Sequence, residues 1–483
     1  MTPPELPRLL ERLVQRFQVS SPTVLEMTSP SVTSRRGFLS AILSSPLFWM
    51  VLVGMALRVG LILFFRYYDF STQNTAFHDF RFLPEVIRHF PFAFGYETGA
   101  VAYSLATGHG FSSPFAGATG PTAWLAPLYP AMCALVFKLF GPFTLASGFV
   151  ILFVNSVFGA LTCIPIYRIG ELTGGHKVGL WSGWLWSAGI FFMLWPTTWV
   201  WEVSLSAFLI SIAFLLSLRL AKESTTKRWF SFGLVWGIAA LSNPSLLSFL
   251  PASGLYPVFR LYRNRTPWLR QAALAAALFF VCITPWLVRN RVVFGQWIFI
   301  RGNAPFEFSL GNYHLSNGLG WYGKHPSQNK FEWAEYARVG EVAYVAEKKQ
   351  AALAFVKQYP AEFIGLCATR FVAFWTGSPI TSDINMRWTF FVPLSALMFL
   401  GLIAALAEKI EGAWLYLWLM LSYPFTYYLV FAQPRYRHAI EPEMLLLGTY
   451  FIYGAIRDIR AHFTFSRQIP PISVATGGHA SSD

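Results

Sequence analysis

Ala123-Trp124-Leu125-Ala126-Pro127-Leu128-Tyr129-Pro130, continuing Ala131-Met132-Cys133-Ala134-Leu135-Val136-Phe137-Lys138-Leu139-Phe140, is the stretch on which the topology turns. Read as a span or as a helix lying on the membrane surface, it fixes which side every later turn faces. Its prolines stand in the first turns, and it runs only to Lys138 and Gly141. That length is marginal for a hydrocarbon core needing about 20 apolar residues.

Charge decides between the two. Clear apolar runs lie at 47–66, 145–167, 177–195, 200–219, 229–243, 245–259, 271–288, 388–407, 413–431 and 441–456. With 123–140 laid on the surface, one set of turns collects Arg168 and Lys177, then Arg219, Lys222, Lys227 and Arg228. The same set takes in Arg260, Arg263, Arg265, Arg270, Lys409, Arg457 and Arg460, and the N-terminal Arg8, Arg12, Arg16, Arg35 and Arg36. Cytoplasmic loops carry the excess of basic residues, and counting 123–140 as a span puts the two densest clusters outside. The reading is an all-α polytopic membrane protein of about ten spans, with both termini in the cytoplasm. It divides into a cytoplasmic segment 1–46, a transmembrane domain 47–457, and a cytoplasmic tail 458–483, partly disordered and rich in Ser, Gly, Pro and Ala. Two long segments, about 67–144 and 289–387, are left outside.

Composition agrees. Of 483 residues 55% are hydrophobic and 12% charged, where a soluble domain carries about 25% charged residues. Little room is left for a separate soluble domain. The net charge of +14 lies in short clusters between apolar runs, a pattern that fits topology and anionic headgroups rather than nucleic acid. Cys133, Cys163, Cys282 and Cys367 form no C-x-x-C pair, so neither a disulfide framework nor a thiolate metal site is indicated. Arg35-Arg36 resembles a twin-arginine signal, but the full-length apolar run behind it lacks a small-residue cleavage site and reads as an anchor.

The residues with chemistry gather in the outside segments. In the first, Glu97 to Leu105 is predicted as a short helix facing the membrane and ended by glycines. Glu97 there would accept a proton from a nucleophile, bind a metal, or be an ordinary solvated acid. Two outward clusters run against the charge rule: Arg289-Asn290-Arg291 with Arg301, and Arg435-Tyr436-Arg437-His438. Arginine forks at headgroup depth match a lipid phosphate; the alternative is snorkelling or an internal ion pair, for example with Glu441. Glu202 either assists binding or caps the helix it precedes. A charged amphipathic helix over about 345–358 would lie over the membrane as a lid, with Glu332, Glu335 and Glu341 on solvated faces. Arg58, in the middle of the first span, requires a polar partner inside the bundle.

These patterns resemble the GT-C superfamily of integral membrane glycosyltransferases, in particular bacterial members related to protein O-mannosyltransferases and aminoarabinose transferases. The resemblance covers roughly residues 45–457. It rests on Glu97 followed by Ala102 to Phe111, on Pro121-Thr122-Ala123-Trp124 with Pro127 and Tyr129-Pro130, on Pro285-Trp286 through Arg289-Asn290, and on Arg435-Tyr436-Arg437. It implies juxtamembrane helices in a long first outer loop, an acid there acting as base or metal ligand, and a polyprenyl-phosphate sugar as donor. By that analogy Glu97 deprotonates the acceptor and directs an inverting displacement at the anomeric carbon. Arg435, Arg437, Arg289 and Arg291 hold the leaving lipid phosphate, with Glu202, His438 and Tyr96 as acceptor-side or auxiliary groups. Many relatives carry an adjacent acidic pair in this loop, whereas Glu97 is flanked by Tyr96 and Thr98; Asp79 is the second candidate acid.

The expectation is a membrane glycosyltransferase of the cell envelope, moving a hexose or pentose from a polyprenyl-phosphate donor to a lipid, glycan or protein acceptor. It would sit in a bacterial inner membrane with its active site on the periplasmic face, bound by membrane lipids and not by nucleic acid. No cofactor is required by the sequence; a divalent metal is the alternative. The rival readings are a lipid or sugar-lipid transporter or flippase, and an O-antigen ligase or polymerase. Transporters carry charged or broken helices at mid-membrane, and the spans here are clean apart from Arg58 and Ser242-Asn243-Pro244.

Overall fold

Prolines and glycines cut the apolar sequence into helices whose ends fall where main-chain donors and acceptors find other partners. The computed structural model describes residues 43–66, 68–69, 94–95, 97–115, 117–319, 323–379 and 384–467, with side chains through 460. Asp79, Tyr96 and the N-terminal arginines lie outside the described residues. Helix α1 (Pro46–Phe65) comes first, then the short α2 (Glu97–Ala106) and α3 (Leu128–Phe140). Thr144 opens α4 (Leu145–Leu161) by accepting from the Ser147 N–H, and the chain runs on through α5 (Cys163–Thr173). Helices α6 (His176–Ala188) and α7 (Ile190–Thr198) meet at Gly189 with a 46° bend. The most enclosed span is α8 (Val203–Lys222).

Thr225 caps α9 (Thr226–Ser242), which ends where Asn243 and Pro244 start a 3₁₀ stretch, Pro244–Phe249. Helices α10 (Leu250–Arg263) and α11 (Leu269–Phe294) follow, then α12 (Ala304–Gly311), α13 (Lys330–Val339), α14 (Glu341–Gln358) and α15 (Pro360–Thr376). The last three are α16 (Ile384–Ala407), α17 (Ala413–Leu429) and α18 (Glu441–Arg467).

The all-α, multi-pass reading holds; helix length and composition alone do not confirm the count of ten spans. Among the described residues five helical runs are long and apolar enough to cross a membrane: α1, α4–α5, α8, α11 and α16, or six if bent α6–α7 is one span. The run expected at 245–259 is divided between the 3₁₀ stretch and the 14 residues of α10. Helices α9 and α17 have 17 residues each, at the lower end of the length that crosses a hydrocarbon core. Helix α3 has 13 residues, about 20 Å at 1.5 Å per residue, a length that suits a helix on the surface. The segment 289–387 is not a plain loop, since it contains α12 to α15. The apolar stretch of α15 was disguised by Arg370, which is buried and satisfied by the carbonyls of Gly318 at 3.0 Å and Leu429 at 3.0 Å.

Arg58 finds a similar solution. Its guanidinium donates to the carbonyls of Gly54 at 2.9 Å, Ser187 at 3.3 Å and Trp186 at 3.4 Å. The last two belong to the final turn of α6, where the bend at Gly189 frees carbonyls that attract a cation. Small residues also set the helix spacing. A Cβ on Gly401 of α16 would stand 2.1 Å from the Leu447 carbonyl of α18, whereas one on Gly254 of α10 meets nothing within 4 Å. Replacing Gly401 with Val therefore costs about 1–3 kcal/mol by overpacking, read as a lower unfolding temperature in detergent. Gly254→Val serves as the control and leaves that temperature near the wild-type value.

Candidate active site

The sequence around Glu97 folds as it does because two glycines, Gly95 and Gly99, permit close backbone passage. Gly95 has φ 81° and lies so close to the Val200 carbonyl that any Cβ would clash at 2.2 Å. Its carbonyl accepts from the Thr98 N–H at 2.9 Å, starting α2 with Glu97 in the first turn. An anion is favoured at that end of a helix. Beyond α2, Ser104 Oγ donates to the Gly110 carbonyl at 3.0 Å, and Thr122 N donates to the Phe111 carbonyl at 3.2 Å. The loop is thus folded back on α2 before the chain enters Thr122-Ala123-Trp124.

That tripeptide is a junction. Glu341, expected on a solvated face, is instead buried and accepts from the Thr122 hydroxyl, from Ala123 N at 2.8 Å and from Tyr336 OH at 2.8 Å. Burial pushes its carboxyl upward against those hydrogen bonds. Arg289 of α11 donates to the carbonyls of Thr122 at 2.7 Å and Phe111 at 2.8 Å. Arg301 donates to the Trp124 carbonyl at 3.0 Å, and Gly302 N to the Ala123 carbonyl at 2.7 Å. Glu332 and Glu335 are half-exposed, paired with Lys348 at 2.7 Å and Arg338 at 2.5 Å.

Beside this junction lies a cavity of about 920 Å³, lined among others by Glu97, Glu202, Arg301, Glu307, His325 and Arg435. Glu97 Oε1 is 3.1 Å from His325 Nε2, and its side chain is 18% exposed. Burial pushes the Glu97 carboxyl up, but the hydrogen bond from His325, with help from Arg301, outweighs it and holds the group below the usual carboxylate range. Glu307 is driven the other way. Burial raises it, opposed by Arg301 and His325 and assisted by the nearby Glu97. It accepts from Arg301 Nη2 at 3.1 Å and from Asn303 Nδ2 at 2.8 Å. One cavity thus contains two carboxyls whose surroundings drive them apart, the pattern that separates acid from base.

The second arginine on the cavity is Arg435. Pro434 fixes the start of the short helical turn Pro434–Arg437. Arg435 lies over the Trp201 ring at 3.6 Å and beside Tyr436 at 4.8 Å, donating to Gln433 and to Tyr436 OH at 3.2 Å. Trp201 itself stacks on Trp199 at 4.8 Å. Glu202 stands at the N-cap of α8 without a side-chain capping bond and faces the cavity.

Other sequence candidates are placed elsewhere. Arg437 is fully buried, 3.2 Å from Glu441, and donates to the carbonyls of Trp375 and Phe391 at 3.1 Å each. His438 is buried too, 2.8 Å from Glu441 and stacked on Trp186. Arg289 is engaged at the junction, and Arg291 is exposed. None of these four lines the cavity. Removing the cation from a buried pair costs about 3–5 kcal/mol. Arg437→Leu is therefore expected to lower the unfolding temperature sharply, while its folded fraction keeps wild-type lipid binding.

Arg301, Glu307 and His325 complete the site. Among the described residues no group of three or more His, Cys, Asp and Glu is set to hold a metal. Glu97 and Glu307 are moreover taken up by His325, Arg301 and Asn303.

Comparison with known proteins adds similarities to a family and to solved structures. No curated protein sequence matches the chain. Solved structures resembling it include the Archaeoglobus fulgidus oligosaccharyltransferase with Zn and sulfate, at 11% identity and TM-score 0.44, over 88% of this chain and 51% of that one. A second is oligosaccharyltransferase AglB from the same organism with an inhibitory peptide and a dolichol-phosphate, at 12% identity and TM-score 0.45, over 93% and 53%. The chain spans about half the length of these structures. Over residues 124–288, about a third of its length and including Glu202, the chain matches the dolichyl-phosphate-mannose-protein mannosyltransferase family, bearing out the resemblance to GT-C membrane glycosyltransferases.

Proposed function

We propose that the chain is a membrane glycosyltransferase that takes a sugar from a polyprenyl-phosphate donor and transfers it to a hydroxyl or amine acceptor with inversion. The observation that carries this reading is the cavity itself, which sets the charged Glu97 and the Arg435 fork in one space. Arg435 has neutral partners in Gln433, Tyr436 and Trp201, so its charge is left for an incoming anion. Arg301, by contrast, is matched by Glu307. Among the described residues Arg435 makes no ion pair, and one such fork suits a single phosphate.

In the proposed step the acceptor oxygen or nitrogen attacks the anomeric carbon from the face opposite the phosphate. Its proton passes to Glu97 as the new bond forms. The bond from the anomeric carbon to the phosphate oxygen breaks, and its electron pair leaves with the polyprenyl phosphate, whose growing charge Arg435 stabilises. Glu202, on the same cavity, is placed to orient the acceptor. Glu97 and Glu307 are already engaged, and the described residues form no ligand cluster, so no step is routed through a metal. By the charge distribution of the sequence, the reaction takes place on the periplasmic face of a bacterial inner membrane.

The test is to incubate the purified protein with a radiolabelled mixture of polyprenyl-phosphate hexoses and pentoses and a pool of lipid, glycan and peptide acceptors. Release of polyprenyl phosphate with labelled product is the expected result. Binding of such lipids without any release of polyprenyl phosphate would favour the transporter or flippase reading.

A further inference from the structure

The displacement just described makes no use of His325, yet its side chain is closely held in the cavity. Its ring is 5% exposed, and Phe115, Trp124 and Phe306 pack around it with centroids at 5.5, 6.1 and 5.4 Å. Its Nδ1 receives the main-chain N–H of Ser327 at 3.1 Å, with the Ser327 hydroxyl 2.6 Å away. A main-chain N–H only donates, so Nδ1 carries a lone pair and the proton of the neutral ring sits on Nε2. That proton is directed at Glu97 Oε1, 3.1 Å distant. The turn is itself tied down. The N–H groups of Gln328 and Asn329 donate to the His325 carbonyl at 2.9 and 3.0 Å, and the Asn329 side chain caps α13.

We infer that His325 is a positioning residue for Glu97: Ser327 pins its tautomer, its Nε2–H occupies one carboxylate oxygen, and the acceptor's proton goes to the other. The inference rests on Glu97 being the base proposed above. A histidine that accepted the proton would need a free lone pair toward the acceptor, and here the lone pair is committed to Ser327. Among the described residues, the other charged groups on the cavity are Arg301, Glu307, Glu202 and Arg435. Of these, Arg301 also favours the charged form of Glu97. Loss of the imidazole removes the main support of that form, so Glu97 then needs a higher pH to act as base.

Two readouts test this. The Glu97 carboxyl is titrated directly from infrared difference spectra against Glu97→Gln, and kcat/KM is followed against pH with the polyprenyl-phosphate sugar. In His325→Ala both the titration and the acidic limb are expected to move up by about one pH unit, with kcat reduced and the donor KM unchanged. His325→Gln, whose amide N–H reaches the same oxygen, returns both toward wild type. An unshifted titration and limb in His325→Ala would overturn the inference, even if transfer slowed. Should wild type transfer nothing, the transferase reading falls, while the infrared titration still decides whether His325 governs Glu97. If His325→Ala does not fold, His325→Gln against the shorter His325→Asn makes the same comparison, with only Asn shifted.

Discussion

Glu97→Gln is expected to lower transfer by about 10²–10⁴-fold, the range supplied by a positioned base, while donor lipid still binds. Glutamine keeps the shape and the hydrogen-bonding reach of the side chain but cannot take a proton. The loss should appear in kcat rather than in donor KM, because the carboxylate acts on the acceptor during the displacement. The site favours so large an effect because Glu97 is held below the usual carboxylate range, whereas burial raises Glu307. Single-turnover transfer in detergent, with bound donor measured separately, checks the outcome. Full activity in Glu97→Gln would shift the base to Asp79, the other acid of the first loop.

Arg435→Ala is expected to weaken donor binding by about 10–100-fold, since a hydrogen bond to a charged group is worth roughly 1.5–3 kcal/mol and each 1.4 kcal/mol is tenfold. Arg435→Lys should fall between the two. Lysine keeps the charge but loses the planar fork and its stacking on Trp201. The polyprenol without its phosphate separates an electrostatic role from a packing one. It should bind wild type and Arg435→Ala equally, whereas the phosphorylated lipid discriminates between them. Equal loss for both lipids would assign Arg435 to the shape of the cavity wall instead.

Fold class and the helix at Glu97 were legible in the sequence because each depends on local pattern: long apolar runs, and glycines that end a short helix. The span count was less so. Asn243-Pro244 replaces one expected span by a 3₁₀ stretch and a short helix, and Arg370 hides an apolar helix whose carbonyl partners lie more than fifty residues away. Within the site, spacing held information that side-chain type alone did not. Arg437 has Glu441 four residues on, and His438 has it three residues on, the offsets that bring helical side chains together. Arg435 has His438 and Ala439 at those offsets and no acid. Three residues that looked alike as a cluster are thereby divided into two that lock the bundle and one that faces the cavity. Glu341 carried no comparable signal, because Thr122 and Ala123 lie 219 and 218 residues away from it.

The junction at Thr122-Ala123-Trp124 also bears on how the protein is made. Its loop emerges early in synthesis, yet the groups that fasten it, Arg289, Arg301 and Glu341, come from far later in the chain, and Arg435 later still. While the early helices are being threaded into the lipid, Glu97 has neither His325 nor Arg435 beside it. On the proposed mechanism, a nascent chain stalled before Arg435 is a membrane-embedded protein without a complete catalytic centre, and competence arrives only after α17 has been made.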